Sequence, residues 1–140
     1  MGDRGNVFFV DGKKGKAFDG IYMYTHWSGS SLPGIVRAAL ARGTERWGDS
    51  QYLARIVFCE LIKDDVLEEV GYGLGTQIGD NEHSIIRVND LEERVSFHTP
   101  GKERSVGDKG LASWSYAEFL KTKDADVSEA FLGPQDDEDD

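Results

Sequence analysis

Two consecutive stretches of this sequence carry the apolar spacing of an amphipathic helix. From residue 32 to residue 40, apolar residues recur at i, i+3, i+4, i+7 and i+8. The same period returns from residue 53 to residue 62, with extra apolar positions that widen the face and indicate burial on two sides. Gly43 is placed to end the first helix, and Asp49 can cap the second. The pattern therefore predicts two adjacent helices, which any sheet in this protein must accommodate.

Strand-like segments flank the two predicted helices on both sides. Residues 7–10 and 21–24 precede them and are rich in β-branched and aromatic side chains. Residues 70–75, 84–89 and 94–98 follow them, and the last two segments are typical of an antiparallel pair. The order ββααβββ predicts an α+β fold, with a mostly antiparallel sheet of about five strands and the two helices packed on one face. Aromatic residues further along the chain add a short C-terminal helix.

Length and charge limit the possible classes of protein. The 140 residues are enough for one domain with its own core, which we expect over residues 1–132. The net charge is −10, and residues 136–140 are all acidic, so residues 133–140 are predicted to form a disordered acidic tail. An acidic inhibitor or nucleic-acid mimic is an alternative for such a chain. General nucleic-acid binding is disfavoured because no dominant basic face can be read from the sequence.

The sequence favours a cytoplasmic protein that does not associate with membranes. No apolar run approaches the roughly 20 residues that a membrane span requires. The charged start of the chain lacks the profile of a secretory signal. Cys59 is the only cysteine, which excludes an internal disulfide and a thiolate-rich metal site. Its place on a predicted apolar helix face favours a buried, inert thiol.

Two polar clusters, residues 24–27 and residues 80–83, mark the predicted site. Each cluster follows a strand-like segment, and strand ends are where folds commonly present functional side chains. The clusters hold two of the three histidines of the chain. We expect both clusters to lie at the same end of the sheet and to share one pocket. The predicted ligand-binding residues are Tyr24, His26, Trp27, Gly73, Asp80, Asn81, Glu82 and His83.

The side chains of these clusters suit more than one chemistry. His26 can serve as a general base beside an indole that stacks on a planar ligand, and Glu82 and His83 are further candidates for catalysis. Residues 80–83 contain metal-ligand types, but no recognised metal motif accompanies them, so neither a metal nor a cofactor is predicted. Polar residues between two strands are also most often a simple turn.

Alternating glycines at positions 71, 73 and 75 leave one face of the third strand-like segment as bare backbone. Glycine weakens a strand, so the pattern indicates that another group comes very close to this face. One explanation is a helix packed tightly on the sheet. The other is a ligand that lies against Gly73. The spacing does not match a dinucleotide-binding fingerprint.

Residues 21–29, 52–58 and 79–83 together resemble small uncharacterised proteins encoded by bacteria and their phages. The similar part of the chain covers about residues 20–97. The resemblance implies an origin in a phage or mobile element, but it brings no activity with it. Similar chains often carry a proline where this chain has Ser84.

The sequence as a whole favours binding over catalysis. Every enzyme motif considered is incomplete, whereas aromatic residues, amides and bare glycine backbone suit recognition. The expected function is a non-enzymatic binding or accessory protein that recognises a small polar ligand or a host protein. The alternative is a small hydrolase or transferase that uses His26 with Asp80, Glu82 or His83.

Overall fold

The computed structural model describes residues 2–132, and the α+β class is confirmed. The predicted acidic tail, residues 133–140, lies outside the described residues. None of the helices within residues 2–132 has the length and apolar character needed to cross a bilayer. In chain order the elements are β1 (Gly5–Lys14), β2 (Ala17–Thr25), α1 (Leu32–Arg42), α2 (Ser50–Ile62), β3 (Tyr72–Gly75), β4 (Ile85–Asn89), β5 (Arg94–His98), β6 (Ala112–Ser115), α3 (Tyr116–Lys121) and α4 (Asp124–Leu132).

The strands form one six-stranded sheet in the order β3-β2-β1-β4-β5-β6. All neighbouring strands are antiparallel except β1 and β4, which are parallel, with Val7 opposite Ile86. The sheet is therefore mixed, and it has one strand more than the sequence predicts. To pass from β3 to the free side of β1, residues 76–84 must cross β2 and β1. They do so at the end of the sheet where Gly5 is opposite Thr25, and the ring of Tyr24 lies against Gly79.

The two faces of the sheet are covered differently. The helices pack on the face that carries Val7 and Phe9, where most of the apolar core lies. The opposite face carries Phe8 and Val10, and it forms a second buried cluster. Residues 99–111, which we call the covering segment, lie over part of this second face. Val106 packs on the cluster, and residues 17 and 105 form an isolated bridge.

Strand β6 is absent from the sequence prediction, and helix α4 is a complete second helix after the single short C-terminal helix that the sequence predicts. Strand β6 has only four residues, and it runs directly into α3. Ser115 ends the strand and also caps α3, because its hydroxyl accepts from the Glu118 N–H at 3.1 Å. The Glu118 carboxylate in turn accepts from the Ser115 N–H at 2.8 Å. This capping box is a strong helix signal, and it hides the short strand that precedes it.

The buried carboxylate of Asp90 joins three elements of the fold. Asp90 follows β4 and accepts hydrogen bonds from the Gly48 N–H at 3.0 Å, the Ser50 hydroxyl at 2.8 Å and the Tyr116 hydroxyl at 2.9 Å. Burial, together with the charge of Asp90, raises the pKa of Tyr116 well above its usual range. Asp90 therefore fixes the start of α2 and the start of α3 against the same turn.

We expect Tyr116→Phe to lower the free energy of unfolding by about 1.5 to 3 kcal/mol, because it removes one hydrogen bond to a buried charge. Urea denaturation of the variant and the wild type measures this difference. Tyr52 is about half exposed on α2, so Tyr52→Phe is the matched control, with an expected change within about 0.5 kcal/mol. Equal small losses in both variants would show that the other two donors satisfy Asp90.

Candidate functional site

The structure brings both predicted polar clusters to one end of the sheet, on either side of residues 3–4. The Asp3 N–H donates to the His26 carbonyl at 2.7 Å, and the Glu82 N–H donates to the Arg4 carbonyl at 2.9 Å. The N-terminal segment therefore lies between His26 and residues 79–83. We refer to the polar side chains gathered here as the sheet-end cluster, which consists of Asp3, Arg4, Asn6, Tyr24, His26, Ser30, Asp80, Asn81, Glu82 and His83.

Asn6 fixes the path of residues 79–83. Its side chain is fully buried at the start of β1. The amide oxygen accepts from the Gly79 N–H at 3.0 Å. The amide nitrogen donates to the Asp80 carbonyl at 3.1 Å and to Asn81 Oδ1 at 3.1 Å. The side chain of Asn6 therefore bonds both donors and acceptors of residues 79–83. These residues are positioned by their bonds to β1, and not only by bonds within their own turn.

Asp3 connects Ser30 with His83. Its Oδ2 accepts from the Ser30 N–H at 3.0 Å and also from the Ser30 hydroxyl, and its Oδ1 lies 2.6 Å from His83 Nε2. The Ser30 hydroxyl, aided by the contact with His83, lowers the pKa of Asp3 to about 2. The carboxylate stands between the hydroxyl and the imidazole, so His83 cannot take the Ser30 proton directly. This arrangement binds the segments together and does not activate Ser30.

Arg4 engages the carboxylate of Glu82 closely. Arg4 Nη2 lies 2.7 Å and Arg4 Nε 3.1 Å from Glu82 Oε2, while the Arg4 N–H donates to Oε1 at 3.2 Å. The hydrogen bonds from Arg4 lower the pKa of Glu82. Arg4 Nη1 also lies 3.4 Å from Asp80 Oδ2. Glu82 is thus ionised at neutral pH, which makes it unsuited to act as a general acid.

His26 is positioned by its aromatic neighbours. Its Nδ1 lies 3.2 Å from the Tyr24 hydroxyl, and its ring meets the Trp27 ring edge-on with centroids 5.4 Å apart. Burial is the main cause that raises the pKa of Tyr24, so the phenol stays protonated and can donate to Nδ1. His26 is therefore a hydrogen-bonded residue of the sheet end.

Two clefts open beside His83, and His26 lines neither of them. One cleft of about 450 Å³ lies between α1 and α4, with Ser30 and Phe131 in its wall. The other, of about 350 Å³, is lined by residues 81–84 and residues of the covering segment. The prediction that the two clusters lie at the same end of the sheet is confirmed, but they do not share either of these two cavities.

Asp3, Glu82 and His83 form a set of potential metal ligands, with donor atoms all within 4.8 Å of one another. Two carboxylates and an imidazole suit a divalent cation. However, the Asp3 carboxylate already binds Ser30, and the Glu82 carboxylate already binds Arg4. A metal cation here would have to compete with Arg4 for Glu82. The guanidinium of Arg4 already neutralises this carboxylate.

The glycines in β3 and just before it have different surroundings. Gly71 has a φ of +99°, and a Cβ there would lie 1.9 Å from the Trp27 ring. Trp27 itself packs edge-on against Tyr72, with centroids 6.0 Å apart. At Gly73, by contrast, no atom of the described residues lies within 4 Å of an added Cβ. The prediction that a helix packs on these glycines is wrong, whereas a ligand against Gly73 stays a prediction.

Large apolar side chains face solvent in β3 and in the chain segments on either side of it. Strand β3 lies at the edge of the sheet, and the segments that lead into and out of it bear large apolar side chains that face solvent. Most of the large exposed apolar side chains of residues 2–132 are found here, and together they mark a potential interaction surface. We call this group the edge patch, and it consists of Trp27, Val66, Leu67, Val70, Leu74 and Ile78.

Sequence reasoning missed the residues that organise this end of the chain. Asp3, Arg4 and Asn6 precede or begin the first strand, and no spacing in the sequence connects them with residues 79–83. Only the crossing of residues 76–84 brings these segments together. The edge patch was also missed, although the apolar residues between positions 66 and 78 were a visible signal beside a segment of poor strand propensity.

We expect Gly71→Ala to destabilise the fold and Gly73→Ala to leave its stability almost unchanged. Alanine at position 71 requires an unfavourable positive φ and a shift of Trp27, so the unfolding free energy falls by more than about 1 kcal/mol. Alanine at position 73 meets open space and is tolerated within about 0.5 kcal/mol. Thermal or urea unfolding of the two variants measures the difference. A large loss at position 73 would mean that an unrecognised contact covers that face.

We expect the contribution of Asp3 to stability to depend on acid pH. The folded pKa of about 2 lies below the ordinary value of 3.8. The ionised group therefore stabilises the fold above about pH 4 and loses this effect as the pH falls towards about 2. Urea unfolding of wild type and Asp3→Asn across this range measures a difference that shrinks with acidity. Asp11→Asn, at an exposed position of β1, is the control; a constant difference for Asp3→Asn would contradict the linkage.

Comparisons of the chain with protein-family models, with curated proteins and with solved structures find no match. The resemblance to small bacterial and phage proteins therefore stays a prediction.

Proposed function

We propose that this chain is a cytoplasmic binding protein that takes up an extended strand of a partner protein at the free edge of β3. The observation that carries the proposal is that β3 is hydrogen-bonded to a strand on one side only, within the described residues, and that Leu74 on β3, Val70 before it and Ile78 after it are all exposed. An exposed edge beside apolar side chains is a template for strand addition.

The hydrogen-bond pattern of β3 leaves backbone groups directed outwards. The His26 N–H donates to the Gly71 carbonyl at 2.8 Å, and the register continues with Gly73 opposite Tyr24. Because bonded and non-bonded pairs alternate in an antiparallel ladder, the N–H and C=O groups of Tyr72 and Leu74 point away from β2. A partner strand can pair with these groups without disturbing the sheet.

The glycines and the apolar side chains of β3 define what the partner presents. Gly73 and Gly75 lie on the face opposite the helices and leave space beside them. Large aromatic or β-branched side chains of an added strand fill such space, as they do beside glycines in natural sheets. On the other face, the partner's side chains lie next to Leu74.

The rim of the edge patch is acidic. Asp64, Asp65, Glu68 and Glu69 lie in the segment that leads into β3, and Asp80 follows it. The Asp65 carboxylate accepts from the Tyr72 hydroxyl at 2.6 Å, which fastens this segment to the strand. A partner with Lys or Arg beside its extended segment gains complementary charge and a faster encounter.

These observations favour a protein partner over a small polar ligand, the two kinds of ligand expected from the sequence. The charged groups of the sheet-end cluster are already engaged with one another, as with Arg4 and Glu82. The apolar groups around β3 face solvent instead. An accessory protein encoded by a phage or mobile element would use such an edge to capture a host protein.

The test is selection of 12-residue peptides from a random display library on the immobilised full chain. We expect the selected peptides to alternate large apolar residues and to carry Lys or Arg at one end. Fluorescence polarisation then measures their affinity for variants. Leu74→Lys should weaken binding by about tenfold or more, because it replaces an apolar contact with a charge that opposes pairing of another strand with this edge. Leu74→Pro, which removes an outward N–H, should have a similar effect.

The matched control is Leu91→Lys. Leu91 lies in the turn between β4 and β5 and is 49% exposed, close to the 56% of Leu74. This variant should bind the peptides like the wild type. Peptides that bind all three variants equally would contradict strand addition at β3. A concentration-dependent dimer that Leu74→Lys dissociates would show instead that the edge serves a second copy of the chain.

A further inference from the structure

A second polar cluster, separate from the sheet-end cluster, lies on the sheet face opposite the helices. Ser96 and His98 are two residues apart on β5, so their side chains share this face. The Ser96 hydroxyl lies 2.7 Å from His98 Nε2. His98 Nδ1 lies 2.8 Å from Asp108 Oδ1, in the covering segment, and the Gly110 N–H fixes the same oxygen at 2.9 Å. Hydroxyl, imidazole and carboxylate thus form a continuous chain.

The order of these three groups is the one that general-base activation of a hydroxyl requires. At the sheet end, Asp3 separates Ser30 from His83; here the imidazole stands between the hydroxyl and the carboxylate. Burial and the positive charge of Arg87 lower the pKa of His98, so the imidazole is neutral at pH 7. With Nδ1–H donating to Asp108, the lone pair of Nε2 is left to accept from Ser96.

Ser96 opens into a cleft of about 370 Å³ that also contains Arg87 and Asn89. Asn89 is 2% exposed, and its Nδ2 has no hydrogen-bond partner within residues 2–132; the same holds for the buried Nε of Arg87. A buried donor without a partner is costly, which points to a ligand that supplies the acceptor.

The register places these two donors on the same face of the sheet as the hydroxyl. Arg87 on β4 is directly opposite Ser96 on β5, and Asn89 is opposite Arg94. The remaining nitrogens of Arg87 hold its guanidinium in place, since Nη1 donates to the Ser105 carbonyl at 3.0 Å and Nη2 to the Asp108 carbonyl at 3.0 Å. Fixed donors next to a nucleophile are suited to stabilise a developing oxyanion.

We propose that Ser96, His98 and Asp108 form a hydrolytic site for small carboxylic esters, with Arg87 Nε and Asn89 Nδ2 as the oxyanion donors. This activity is independent of strand recognition at β3, which lies at the far edge of the sheet.

The reaction proceeds in two balanced steps. The Ser96 oxygen bonds to the ester carbonyl carbon as its proton passes to His98 Nε2; the bond to the alcohol oxygen then breaks, and the alcohol leaves with that proton. Water next attacks the acyl carbon and gives a proton to His98. That proton returns to the Ser96 oxygen as the acyl bond breaks and the carboxylic acid departs. Asp108 orients the imidazole and stabilises its protonated form.

The lining of the cleft selects the substrate. The wall of the cleft holds three cationic side chains and two carboxylates: Arg87, Arg94 and Lys109 against Glu92 and Asp108. This excess of positive charge favours an ester that carries a negatively charged substituent. Ser96 is almost fully buried, so only a small acyl group reaches it. The expected substrate class is therefore a monoester of a small dicarboxylic acid, whose free carboxylate supplies the negative charge.

The first test is labelling of the intact wild-type protein with a fluorophosphonate, followed by mass spectrometry of the peptides. We expect the label on Ser96. The second test measures hydrolysis of mono-4-nitrophenyl succinate and of the neutral 4-nitrophenyl acetate. Ser96→Ala should lower hydrolysis of the succinate ester by on the order of 10²-fold or more. Lys109→Ala should reduce the preference for the succinate ester by about fivefold.

Ser30→Ala is the matched control, because its hydroxyl contacts a carboxylate and should leave both labelling and hydrolysis unchanged. Circular dichroism verifies that each variant is folded. A wild-type protein that takes up no label at Ser96 overturns the proposal, and so does undiminished hydrolysis by folded Ser96→Ala. In either case the three residues serve only to hold the covering segment on the sheet.

Discussion

Burial of strand β1 on both faces is the constraint on which the rest of the structure depends. Val7 and Phe9 face the helices, while Phe8 and Val10 face the opposite side, and all four side chains are almost fully buried. Each contributes roughly 1.5 to 3 kcal/mol when removed from water, so neither face can stay exposed. The two amphipathic helices cover the first face. The second face has no helix in the described residues, and residues 99–111 take that role.

Covering a sheet with an irregular segment obliges the protein to satisfy the polar backbone of that segment. Arg87 donates to the carbonyls of Glu103 and Ser105, and the Tyr22 hydroxyl donates to Glu103 at 2.6 Å. These bonds place charged side chains on a buried face, whereas an apolar helix would have covered it without them. The polar groups around His98 are present because residues 99–111, and not a helix, cover this face.

The sequence predicts the parts of this fold that repeat a local period. Helices α1 and α2 follow from the spacing of residues such as Leu32 and Leu53, and the first two strands follow from their β-branched and aromatic residues. Parallel pairing of β1 with β4 leaves no local trace, because it depends on how residues 76–84 cross the sheet. Strand β6 is hidden because Ser115 belongs to a strand and a helix cap at once.

The predictability of the functional groups follows the same division. The clusters around His26 and Glu82 were visible because each is continuous in sequence, but the partners Asp3 and Arg4 come from a distant segment. Ser96 and His98 looked like ordinary alternation in a strand. Their chemical order appears only when Asp108 folds back over β5, which no short-range spacing encodes.

The parallel contact between β1 and β4 also has a consequence for how the chain reaches its native state. Strand β1 can form a hairpin with β2 early, since the two are adjacent in sequence. Its other edge must wait for a strand more than half the chain length away. Contacts of such long sequence separation slow folding, because the chain loses conformational entropy on closing the loop before the stabilising contacts form. During synthesis, the most apolar strand of the protein therefore stays open on one edge until β4 has been made.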